Sequence, residues 1–104
     1  MTIQQEIKVF QELTAQMCDT FAKKRADYGQ TTTETFKKFG PVSMLTRMHD
    51  KLGRLDNLLV NANATNNVGE AVEDTLLDLA NYSIITIIEL MKYKHEMVSD
   101  ELRR

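Results

Sequence analysis

The chain has 104 residues, with 13 Lys and Arg against 15 Asp and Glu, a formal net charge of −2 and 42% hydrophobic residues. That length suits one domain over 1–104 with a modest core, and the near-balanced charge excludes a general nucleic-acid binder. One proline, four glycines and the lack of strand-like alternation point to an all-α chain. Cys18 is alone, so no intramolecular disulfide can form, and its core-like helical position reads as a buried free thiol in a reducing compartment. Residues 1–10 lack the basic-then-apolar pattern of a signal peptide, and the apolar run 84–90 is too short to span a bilayer. A soluble, cytoplasmic protein without a membrane partner is expected.

A first helix opens at Thr2, a cap with Gln5 in capping-box position. Ile3, Ile7, Phe10, Met17 and Phe21 mark its buried face, widened by Leu13 and Cys18. It should run to about Ala26 and stop near Tyr28-Gly29. At about 1.5 Å per residue such a helix is about 40 Å long, more than the width of so small a domain, so it must project or pack on a second copy. Lys23, Lys24 and Arg25 cluster at its end, beside Tyr28. Cations there complement the helix dipole, or they face a phosphate with an aromatic alongside to stack. Thr31, Thr32 and Thr33 then offer a cap for a short helix, Glu34 to Phe39.

Gly40-Pro41 breaks the chain, and Ser43 is placed to cap a second long helix. Leu45, Met48, Leu52, Leu55 and Leu59 form its expected seam, flanked by a basic line of Arg47, Lys51 and Arg54. Gly53 within it suggests close approach of another backbone. The polar stretch 61–67 is a short loop that lets the next helix return antiparallel. That third long helix centres on Glu70 to Met91 and is apolar nearly all round, as a helix buried among others would be. Glu70, Asp74, Asp78 and Asn81 interrupt it on one line, and buried carboxylates need a partner. After Met91 the pattern fades into a charged, frayed end. His49, His95 and Cys18 are too scattered in sequence for a His-based metal site.

Two lines of opposite charge on neighbouring helices can pair with each other. The same Arg fork can grip phosphate, and carboxylates spaced by four can hold Mg²⁺ against substrate phosphates. From the residues alone these three uses stay open.

The combination KRADYG, then FGPVSMLTRMHDKLGRLDNLL, then EDTLLDLANYSI resembles a phage-borne domain family described as nucleotide-modification-associated. The second and third motifs also look like the all-α nucleoside-triphosphate pyrophosphohydrolases of the MazG and dimeric dUTPase group. That likeness implies an antiparallel, oligomeric, MazG-like bundle of three long helices plus a short one. In those enzymes an E-x-x-E pair and an E-x-x-D pair on successive helices hold Mg²⁺ while water attacks the phosphate chain. Here Lys51 and Arg54 stand where the first two carboxylates would be, and Asn81 replaces the last acid. Asp78 remains, with Asp50, Glu73 and Asp74 nearby as substitutes. A wall of carboxylates becomes one whose own cations neutralise phosphate.

The expectation is therefore a homo-oligomer that binds a phosphorylated nucleotide or nucleotide-derived small molecule without a cofactor or hydrolysis. Arg47, Lys51 and Arg54 would take phosphate, with Lys24 and Arg25 adding charge. Asp78 and Asn81 would orient these heads or read base or ribose, and Tyr28 would stack. The phage resemblance implies an infected bacterial cell, where such a protein could sequester a host defence signal or serve modified-nucleotide metabolism. The alternatives are a Mg²⁺-dependent pyrophosphohydrolase using Asp50, Glu73, Asp74 and Asp78, or a structural or regulatory helical module.

Overall fold

The computed structural model describes the backbone of residues 1–61 and 68–103 and the side chains of 1–61 and 69–96. The described residues form four helices: α1 (Ile3–Tyr28), α2 (Thr31–Phe39), α3 (Val42–Leu59) and α4 (Val68–Arg103). The all-α expectation of three long helices and a short one holds. Of the loop expected over 61–67, residues 62–67 lie outside the described residues. The chain divides into two compact units, Met1–Thr32 and Thr33–Arg104.

The first unit is essentially α1. Its start is the expected capping box: Thr2 Oγ1 accepts from the Gln5 amide at 3.2 Å, and Gln5 Oε1 accepts from the Thr2 amide at 2.8 Å. Its end is set by Gly29, at φ 56°, whose amide donates to the Arg25 carbonyl. The covered line is narrower than the apolar pattern suggests. Met17 is buried and Leu13, Phe21 and Arg25 are half-buried at steps of four, whereas Ile3, Ile7 and Phe10 are exposed. Cys18, expected in the core, is exposed, because it stands about 100° around the helix from Met17.

Helix α2 starts three residues before the expected Glu34, so the threonines form its first turn rather than a cap. Phe36 is buried, and Gly40 at φ 74° ends the helix by donating to the Phe36 carbonyl at 2.7 Å. Ser43, expected to cap α3, lies inside it and donates back to the Gly40 carbonyl at 2.8 Å; the cap position is Pro41, with no side-chain bond.

Helices α3 and α4 run antiparallel. Arg47 meets Tyr82, Met48 meets Ser83, and further along α3 Lys51 meets the earlier Asp78. Their contact line is rotated from the expected leucine seam. Met44 and Leu55 are buried and Met48 is half-buried, but Leu45, Leu52 and Leu59 are exposed. In this rotation Lys51, Met44 and Leu55 share the face turned towards α4, and Leu45, Leu52 and Leu59 stand about 60–100° away from Met44 around the helix. Gly53 has nothing within 4 Å of where a Cβ would stand, so no backbone approaches it, contrary to the sequence argument.

Helix α4 departs furthest from expectation. It continues to Arg103 rather than fading after Met91. Among its described side chains Thr75 and Glu89 are buried, while Leu76, Ile84, Ile87, Leu90 and Met91 are exposed. Thr75 tolerates burial because its hydroxyl donates to the Ala71 carbonyl one turn back at 2.6 Å. Among the described residues no helix is long and apolar enough to cross a membrane.

Two measurements check this arrangement. Met44→Ala should lower unfolding free energy by about 2–5 kcal/mol in denaturant melts, the cost of a cavity in a small core. Cys18 should react with a thiol reagent in the native protein without denaturant, and protection until unfolding would contradict its exposure.

Candidate functional site

The candidate residues fall into two groups. Lys24, Arg25 and Tyr28 belong to the first unit. Lys24 and Tyr28 are exposed, and the Arg25 guanidinium lies 5.2 Å from the centre of the Phe21 ring, within cation–π range. The remaining candidates belong to the second unit, on facing turns of α3 and α4.

There the helix spacing works as the sequence suggests. Arg47, Lys51 and Arg54 follow one another at steps of four and three, so they share one flank of α3. Lys51 Nζ lies 3.1 Å from Asp78 Oδ2, with both side chains roughly a quarter to a third exposed. Arg47 is half-buried, its guanidinium 6.0 Å from the centre of the Tyr82 ring, at the outer edge of a cation–π contact. Arg54 is exposed on the same flank, and Asn81 is half-buried on α4 beyond Asp78. The result is a polar strip in which two cations and an aromatic face stand beside one carboxylate. Cations that keep partial solvent access can exchange an intramolecular carboxylate for an incoming phosphate at small desolvation cost.

The acidic line is less enclosed than its setting in an apolar helix implies. Glu70, Glu73 and Asp74 are exposed, as is Asp50 on α3, while Asp78 is half-buried and paired with Lys51. Among the described residues no three His, Cys, Asp or Glu side chains gather as a metal ion would require.

One polar cluster went unseen in the sequence. Glu89 is 1% exposed. Its Oε1 accepts from Thr33 Oγ1 at 3.0 Å and from Lys92 Nζ at 3.2 Å, and Lys92 also donates to Thr33 at 3.1 Å. This triangle fastens α2 to α4, and the exposed Lys37–Glu96 pair at 3.1 Å lies beside it. The signal was present: Thr75, Tyr82 and Glu89 recur at steps of seven, a polar line through an apolar helix.

Comparison with known proteins bears on the whole of this arrangement. The profile of the nucleotide modification associated domain 1 family matches residues 24–90, well over half of the chain. The chain belongs to that family. No curated protein and no solved structure is significantly similar to it. The nucleotide modification associated domain match begins at Lys24 and ends just after Glu89, so it takes in every candidate residue of both units. It leaves out most of α1 and the C-terminal turns of α4.

The buried triangle makes a testable demand. Thr33→Val removes a donor from an enclosed carboxylate and should cost about 1–3 kcal/mol of stability in a thermal or denaturant melt. Thr32→Val should stay within about 0.5 kcal/mol, as expected of a substitution outside the cluster. Equal effects of the two would contradict the assigned role of Glu89.

Proposed function

We propose that the protein binds a phosphorylated nucleotide or nucleotide-derived small molecule on the polar flank of the α3–α4 pair, without hydrolysing it. The observation that carries this reading is the Lys51–Asp78 contact at 3.1 Å. The chain's own ammonium stands at the carboxylate where a metal-dependent enzyme would need Mg²⁺. Arg47, Lys51 and Arg54 take the phosphate oxygens, and Asp78 and Asn81 orient those heads or hydrogen-bond to ribose or base. Tyr82, already beside Arg47, offers a ring for stacking in the second unit, and Tyr28 remains a stacking candidate with Lys24 and Arg25 in the first. Membership of a family described by nucleotide modification supports a nucleotide-like ligand.

In an infected bacterial cell, the setting that the phage resemblance implies, such binding would sequester a nucleotide signal or serve modified-nucleotide metabolism. The likeness to MazG-type pyrophosphohydrolases supplies the competing reading, metal-assisted hydrolysis by Asp50, Glu73, Asp74 and Asp78.

The test is a panel of nucleoside triphosphates and cyclic nucleotides, each offered with Mg²⁺ or with EDTA, following binding and product together. Binding that survives EDTA with the ligand recovered intact is expected. Lys51→Ala and Arg47→Ala should each weaken it by roughly ten- to a hundredfold, the worth of one charge-assisted contact, with helicity retained. Metal-dependent release of pyrophosphate would replace this reading with the enzymatic one.

A further inference from the structure

Helix α4 is turned inside out for a helix that meets only its own chain. Among its described side chains the buried ones are Thr75 and Glu89; Leu77, Leu79, Ile85 and Ile88 are half-buried, and Leu76, Ile87 and Leu90 are exposed. Helix α3 repeats the anomaly. Leu45, Met48, Leu52, Leu55 and Leu59 follow a heptad pattern, but only Met48 and Leu55 turn towards α4. Leu45, Leu52 and Leu59, each seven residues apart, form the other half of that seam and are each half or more exposed.

These two unfilled stripes lie on the same side of the antiparallel pair. Leu79 of α4 lines one open groove of about 650 Å³ together with Leu45, Met48 and Leu52 of α3. Polar and apolar flanks are well separated. Leu52 and Arg54 lie about 160° apart around α3 at about 100° per residue, as do Leu45 and Arg47.

We infer that this apolar side of the α3–α4 pair is the docking surface for a second copy of the chain, the two helix pairs closing as a four-helix bundle. Three observations select that occupant. The half-used heptad calls for another helix rather than a small molecule or an extended peptide. The six exposed aliphatic residues of the two stripes are each 44–63% exposed. Together they hold on the order of 500 Å² of apolar surface, close to the apolar share of the ~800 Å² per partner in a stable homodimer. The stripe residues themselves are uncharged and the groove between them carries one carboxylate, Asp50, beside His49, whereas the opposite flank would set Arg47 and Arg54 against their own copies.

The inference does not rest on the proposed ligand, because it uses the other side of α3.

Sedimentation velocity at micromolar concentration tests it. The wild-type protein should sediment at twice its chain mass of 11.9 kDa or a multiple of that. Leu52→Glu should shift it to the monomer with helical circular dichroism retained, and Phe10→Glu, on the exposed apolar face of α1, should leave it associated. Ile87→Glu repeats the test from α4 and decides the matter if Leu52→Glu fails to fold. A wild-type monomer at every concentration overturns the inference. So does a folded Leu52→Glu or Ile87→Glu that still associates, or dissociation by Phe10→Glu alone.

Discussion

Lys51 reaches across the helix contact to Asp78 at 3.1 Å, and the rotation of α3 against α4 places the pair on their contact line. Both side chains keep partial solvent access, so the pair contributes on the order of 1 kcal/mol or less once desolvation is counted. Its consequence is geometric. With Lys51 aimed at α4, Met44 and Leu55 come along as the buried residues of α3, and the heptad leucines are left at the margin. A contact chosen for aliphatic burial alone would have rotated α3 towards Leu45 and Leu52.

The second unit holds two polar clusters with different physics. The Lys51–Asp78 contact is partly open and can exchange partners. The Thr33–Glu89–Lys92 triangle is closed around a carboxylate that is 1% exposed, and an enclosed charge is expensive to strand. The closed cluster fixes where α2 sits on α4. The open one lies several turns earlier along α4, where an incoming anion can reach it. Rigid anchoring beside an accessible charged strip is the division of labour expected of a binding surface carried on helices.

How much of this was legible depended on whether a feature is local or relational. Capping at Thr2 and the stop at Gly29 were readable because both are settled by neighbouring backbone groups. The shared flank of Arg47, Lys51 and Arg54 was readable from spacing, and its meeting with Asp78 from opposite charge on antiparallel helices. Burial was not. Apolar periodicity reports every face that wants cover, whether its own chain or another supplies it, so Leu45, Leu52 and Ile87 read as core. Cys18 failed for a related reason: a broad apolar stripe on a long helix need not all be covered, and the line through Met17 and Phe21 is. Glu89 is not legible in this way, because one acid in an apolar run looks like a helix end rather than an interior contact.

The central claim is that the polar flank of the α3–α4 pair receives a phosphate-bearing ligand. Amide chemical shifts during a titration with a nucleoside triphosphate in EDTA test it most directly. Saturable shifts should be largest at Arg47, Lys51, Arg54, Asp78 and Tyr82. A titration whose shifts gather elsewhere in the chain and leave these residues unmoved would contradict it.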